Sequence, residues 1–268
     1  MKSRPQTHPD TPIWPLVGLV VIAIVIAALQ AGPALGGDLR GNDDMMRMQQ
    51  VRDLLSGDKS WFDVSQARLL TPEGGAMHWS RLPDIFLGGI VFLLQPLIGT
   101  RAAEAAAVTA WPLFQLAWVL GAITLCLRRL GVGLSGQLAG LFFFCTSFAL
   151  VSFLPGRIDH HGFGLALTLT AFVSLLSPGR TARSAIVAGL CVAAMLTIAL
   201  ENLPAAGLLI AGFGLAWIVR GEVESRRLRL FGGTLALAAI VTYALDAPGP
   251  LIGGARAVCD AYGQSHLA

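Results

Sequence analysis

The sequence predicts an all-α, polytopic membrane protein with about seven transmembrane helices and a long structured first extracytoplasmic loop. Three observations point there. The chain of 268 residues is 54% hydrophobic and 13% charged, with mean hydropathy +0.67; soluble domains carry about 25% charged residues. Apolar runs at 13–35, 103–127, 134–154, 162–178, 184–200, 203–219 and 230–247 approach the roughly 20 residues that cross a hydrocarbon layer as helix. The short basic clusters Lys2/Arg4, Arg128/Arg129, Arg180/Arg183 and Arg220/Arg226/Arg227/Arg229 each end an apolar run. All four fall on one side, the cytoplasmic one, if 85–98 is not counted as a crossing.

The run 13–35 follows Lys2 and Arg4 and is longer than a signal-peptide core, so an uncleaved first helix with a cytoplasmic N-terminus is expected. Segment 36–102 then forms the first outer loop. Within it, 43–57 places Met45, Met48, Val51, Leu54 and Leu55 on one stripe, the pattern of an amphipathic surface helix. Segment 85–98 is short and interrupted by Gln95-Pro96, which suits an interfacial or re-entrant piece. The remaining spans alternate through short loops and leave 155–161, 201–202 and 248–268 outside. Helices are expected because lipid offers the backbone no hydrogen-bond partner. The chain ends at His266-Leu267-Ala268 without a closing polar tail, so truncation at the C-terminus is expected.

The net charge of +3 comes from loop arginines, and no basic run is interleaved with aromatics; nucleic acid is not expected as a partner. Cys126, Cys145, Cys191 and Cys259 show no metal or redox spacing and read as small apolar packing residues.

With this topology Asp38, Asp43, Asp44, Asp159 and Glu201 gather on the non-cytoplasmic side. Asp43 and Asp44 open the amphipathic helix, where an N-cap is the plain alternative to a site role. Arg157-Ile158-Asp159-His160-His161 lies between two apolar runs, and ionisable groups there are costly and usually functional. The alternative is that Asp159 caps the next helix and pairs with Arg157. Asp159 and His161, two apart, suit an ion such as Mn²⁺, whereas Mg²⁺ prefers oxygen ligands alone. Two adjacent histidines also allow zinc, although spacing reveals no third strong ligand. Glu201 is a rim carboxylate or a plain turn residue. His78 and Arg81 flank Trp79, an interface anchor, and could hold a phosphate.

These outer residues resemble the catalytic subunits of oligosaccharyltransferases and, more broadly, membrane glycosyltransferases of the GT-C fold. Asn42-Asp43, followed by Val51-Arg52-Asp53, resembles the start of that family's first outer loop; Asp159-His160-His161 occupies the place of its Asp-x-Asp element. The resemblance covers most of this chain but only the N-terminal half of a typical member. It implies a polyprenyl-phosphate-linked sugar donor and transfer at the extracytoplasmic face. A divalent cation, Mn or Mg, would be held by Asp43, Asp159 and His161. Catalytic carboxylates would be Asp43 (base or ligand), its neighbour Asp44, Asp159 and Glu201. His78, Arg81, Arg157 and His160 would contact the donor. His161 stands where the family has a carboxylate, and the family's later glutamate loop and its Trp-Trp-Asp acceptor-reading domain are not seen, so an acceptor other than a peptide is expected. The alanine-, leucine- and arginine-rich usage suggests a bacterial inner membrane. A transporter or flippase, or a non-catalytic scaffold subunit, are the competing classes.

Overall fold

The computed structural model describes residues 12–69, 72, 74–77, 79–177, 179 and 181–246. Lys2, Arg4, His78, Arg180, Cys259 and the segment 248–268 lie outside the described residues. Among the described residues, the regular structure is helical apart from one small ladder. In order it forms α1 (Trp14–Ala28), α2 (Gly32–Gly36), α3 (Asn42–Ser56), β1 (Ser65–Gln66), β2 (Gly75–Ala76), α4 (Leu82–Ile98) and α5 (Thr100–Arg129). Then follow α6 (Leu134–Thr146), a 3₁₀ turn at Phe148–Phe153, α7 (His161–Leu175), α8 (Ala182–Ile198), a 3₁₀ turn at Leu200–Asn202, α9 (Leu203–Arg220) and α10 (Glu222–Asp246). The two strands pair antiparallel, Ser65 opposite Ala76.

Three helical stretches are long and apolar enough to cross a membrane: Thr100–Arg129, Leu200–Arg220 and Glu222–Asp246. Helices α1, α4, α6, α7 and α8 are apolar but shorter. Large aliphatic side chains stay exposed on α1 (Val21, Ile22, Val25), α9 (Leu208, Leu215, Ile218) and α10 (Leu237, Ile240), and such continuous apolar faces suit hydrocarbon.

Two segments depart from the sequence expectation. Run 134–154 is not one helix. Ser147 is extended (φ −82, ψ 161), and the Thr146 and Ser147 hydroxyls donate to the carbonyls of Phe142, Phe143 and Phe144. These bonds compete with the helical ladder, and the chain resumes as a 3₁₀ turn. Segment 85–98 is a regular helix through Gln95-Pro96, with Pro96 in its last turn. Gly99, at φ +81, then reverses the chain into α5, a conformation that favours glycine. The hairpin is closed by Phe86 stacked on Trp111 at 4.9 Å. Helix α5 is about 45 Å long at 1.5 Å per residue, more than a bilayer core needs.

The two ends of the bundle are held by different contacts. At one end Arg129 donates to the carbonyl of Val173, and Arg227 donates to Ser174 and Leu175, both at 2.7 Å. These cations cap the last carbonyls of α7. At the other end Trp61 Nε1 donates to Leu245 O at 2.5 Å, and the Arg81 backbone N–H donates to Asp246 at 2.6 Å. Helices α8 and α10 therefore run parallel. Gly189 meets the Phe231–Leu235 backbone, and Thr197 bonds Thr242 at 2.7 Å.

The segment between α2 and α4 is pinned from within. Arg47 and Asp84 form a fully buried pair at 2.6 Å between α3 and α4. Val51, Leu87 and Val91 pack beside it.

Candidate functional site

Helix α3 starts from Gly41, which is extended (φ −153, ψ 167) and lends no side-chain cap. Neither Asp43 nor Asp44 is the N-cap, so capping does not account for them. Both lie in the first turn, where a negative charge favours the helix dipole. They then diverge. Asp43 is exposed, whereas Asp44 is fully buried.

Asp44 ties α3 to the segment that precedes α7. Its Oδ1 accepts the backbone N–H of Ile158 at 2.7 Å and of Asp159 at 3.0 Å. Its Oδ2 pairs with Arg157 at 3.2 Å. Burial raises the carboxyl pKa above its ordinary value, against these donors and Arg157, which lower it. A Cβ on Gly41 would sit 2.9 Å from Arg157 Nη1, so glycine leaves the guanidinium its room. The loop turns at Gly156 (φ +89), whose N–H donates to Val108 O at 2.9 Å on α5. Arg40 Nε donates to Pro155 O at 2.8 Å.

Arg157 also pairs with Asp159. The other oxygen of Asp159 accepts the N–H of His161, the first residue of α7, at 3.1 Å. Both oxygens of Asp159 are thus engaged, and the capping and pairing alternative describes what it does here. The next two side chains reach across to the 3₁₀ turn at Leu200–Asn202. His161 Nδ1 lies 2.7 Å from Glu201 Oε1 and His160 Nε2 lies 3.4 Å from the same oxygen. The two imidazoles are 4.4 Å apart between centroids. His161 and Glu201 are 42% and 51% exposed, open to a ligand from outside. His160 is largely buried beside Trp79, at 6.1 Å, and Arg47 lies over the Trp79 ring at 5.6 Å. Burial, His161 and Arg47 push His160 down to about 4, so it is a neutral imidazole at neutral pH.

Glu201 is held in place locally. The Asn202 amide donates to Met195 O at 2.9 Å and Ala199 O at 3.1 Å. A Cβ at Gly164 would lie 3.1 Å from Asn202 Oδ1, so the α7 glycine admits this turn closely.

Other expected site residues are placed elsewhere. Asp43 is not gathered with Asp159 and His161. Among the described residues, the group whose ligand atoms lie within 4.8 Å of one another is His160, His161 and Glu201. The ligand set Asp43, Asp159 and His161 is therefore not formed, because α3 turns Asp44 rather than Asp43 towards the loop. The buried guanidinium of Arg81 is not free for phosphate. It donates to the carbonyls of Trp61 at 3.1 Å, Gln50 at 3.3 Å and Asp63 at 2.8 Å, and lies 3.5 Å from Asp84. It folds the outer loop. His78 lies outside the described residues.

Sequence reasoning missed Arg47, Asp84 and Asn202. An arginine on the apolar side of an amphipathic helix (Arg47 between Met46 and Met48) is the one available signal for the first.

No family model matches the chain, and neither a curated protein nor a solved structure matches it.

Proposed function

We infer that this protein is a membrane glycosyltransferase module that moves a sugar from a polyprenyl-phosphate-linked donor to an acceptor at the extracytoplasmic face. The observation that carries this reading is the meeting of three outer segments at one bundle end. Asp44 comes from the first, Arg157 to His161 from the second and Glu201 from the third. We read seven crossings, α1, α5, α6 with its 3₁₀ turn, α7, α8, α9 and α10, with the N-terminus cytoplasmic in a bacterial inner membrane. The GT-C-like arrangement is supported by the folded first outer loop and by the arginines at the opposite end.

The transfer forms a bond from the acceptor oxygen to the anomeric carbon as the bond from that carbon to the phosphate oxygen breaks. The acceptor hydroxyl gives its proton to water at this exposed end, and the phosphate leaves with the electron pair, so positive charge must stand beside it. Arg157, 22% exposed, places positive charge at this end while its two terminal nitrogens hold Asp44 and Asp159. A divalent cation bound at this end would add Lewis-acid charge for the same oxygen. The imidazoles and Glu201 fix the position of the polar headgroup, and the lipid tail lies along the apolar helix faces.

The test uses the complete protein in vesicles with a panel of polyprenyl-phosphate hexoses. Wild type should release free polyprenyl phosphate. His161→Ala and Glu201→Gln, both at exposed positions, should slow release by about 100-fold, the cost of removing one transition-state contact. Movement of the intact lipid-linked sugar across the bilayer, with no bond cleaved, would make the protein a flippase. Undiminished release by both variants would remove the site.

A further inference from the structure

We propose that His160, His161 and Glu201 form a three-ligand site for a zinc-class divalent cation, with one coordination position open to the outside. The site deepens the transferase reading by naming the cation class, and it stands or falls separately from it.

The donor set comes first. Two imidazole nitrogens and one carboxylate oxygen is a borderline-soft set, which favours Zn²⁺ over Mg²⁺ or Ca²⁺. Mg²⁺ demands six oxygens in a near-ideal octahedron. Three protein ligands with a vacant fourth position is also the pattern of zinc sites that act on a substrate rather than only hold a fold.

Distances agree. At a metal–ligand length of about 2.0–2.1 Å, tetrahedral ligand atoms stand about 3.3 Å apart. His160 Nε2 is 3.4 Å from Glu201 Oε1. His161 Nδ1 is 2.7 Å from it, the length of a hydrogen bond, and would open by about 0.6 Å to admit the ion. Glu201 is half exposed on a surface turn, so a small carboxylate rotation supplies that movement.

Preorganisation is the independent observation. The histidine pair and the glutamate lie on different elements, and each is fixed from behind. The histidine segment is held by Asp159 on the His161 N–H, by Arg157 on Asp159 and by Asp44 on the Ile158 and Asp159 N–H groups. The glutamate turn is held by the Asn202 amide on two carbonyls. Ligands supported this way keep their geometry before the metal arrives.

The test is metal binding by the full-length protein in detergent after chelator treatment and dialysis. Zinc is titrated against a chromophoric chelator. One Zn²⁺ per chain should bind with an apparent Kd below about 1 µM, in the range of ordered zinc sites, and millimolar Mg²⁺ should not displace it. Co²⁺ in its place should give the visible absorption of a tetrahedral ion. His160→Ala, His161→Ala and Glu201→Gln should each weaken binding by at least about 100-fold, more than the loss of an outer-shell partner. Asp43→Asn, exposed and outside the cluster, should bind as wild type does. Thermal unfolding of the metal-free variants confirms that they fold. Binding weaker than about 10 µM, equal competition by Mg²⁺ or unchanged affinity in the three ligand variants overturns the proposal and leaves a plain His–Glu hydrogen-bonded pair. Zinc binding without sugar transfer would preserve the metal site and sink the transferase reading. Transfer without zinc binding would do the reverse.

Discussion

Replacing Asp44 with alanine is expected to destabilise the folded protein by about 3 kcal/mol and to unseat the second outer loop. The substitution strips the acceptor from the backbone N–H groups of Ile158 and Asp159, each buried with it. An orphaned buried donor costs about 1–3 kcal/mol. It also removes one of two carboxylates facing Arg157. A fully buried ion pair broken on one side costs about 3–5 kcal/mol, but Arg157 is 22% exposed and can recover some hydration while keeping Asp159. The total therefore sits near the lower end of that range. Asp44→Asn should lie between alanine and wild type, because its carbonyl still accepts one or both N–H groups while its amide faces the guanidinium. Asp43→Asn should change stability by less than about 0.5 kcal/mol. Thermal unfolding of the purified protein checks the series. Equal effects of the Asp43 and Asp44 changes would refute the anchoring role of Asp44.

The second large effect is expected at Gly189, where valine should cost about 3 kcal/mol. The added Cβ alone would stand 2.8 Å from Phe231 O, 2.9 Å from Thr234 Cβ and 3.0 Å from Leu235 N. Two of these are backbone atoms of α10, which cannot step aside without moving the helix. Overpacking by a methylene or two costs about 1–3 kcal/mol where side chains can adjust, so a backbone clash belongs at the top of that range. Ala185, Ala188 and Gly189 are buried small residues of α8, the kind that lets apolar helices approach closely in lipid. Because α8 leads directly into the turn that carries Glu201, the same substitution should also displace that carboxylate from His161. A loss of zinc affinity in parallel with the loss of thermal stability would show this. A fully stable Gly189→Val protein would contradict the close parallel contact.

Much of the frame was legible in the sequence, and the reason is physical. Arginine is expensive in hydrocarbon, so its positions report which loops share a side, and the contacts of Arg129 and Arg227 at the α7 end follow that pattern. The shortness of segment 85–98 was readable in the sequence. Its form as a full helix was not, because a proline in a last turn costs one hydrogen bond and need not end a helix earlier. The break at Ser147 was hidden too, since serine and threonine hydroxyls compete with the backbone only where tertiary packing allows.

The site was legible as a neighbourhood but not atom by atom. That Asp38 to Asp44, Asp159 and Glu201 share one side followed from topology. Which of two adjacent aspartates turns inward depends on a 100° step along α3, and composition is blind to that rotation. Glu201 as the partner of both histidines required the turn held by Asn202, forty residues further along the chain. Arg81 carries the same charge whether it meets a phosphate or three carbonyls, and only the folded loop distinguishes the two.

The bonds from Trp61 to Leu245 and from Arg81 to Asp246 join positions 184 and 165 residues apart. During synthesis the segment between α3 and α4 must therefore wait for almost all of the described chain to emerge before its own floor is laid. A nascent chain inserted only as far as α7 would have its histidines but neither the acidic partner nor the closing clamp, so competence at this surface should arrive late and all at once rather than grow with length.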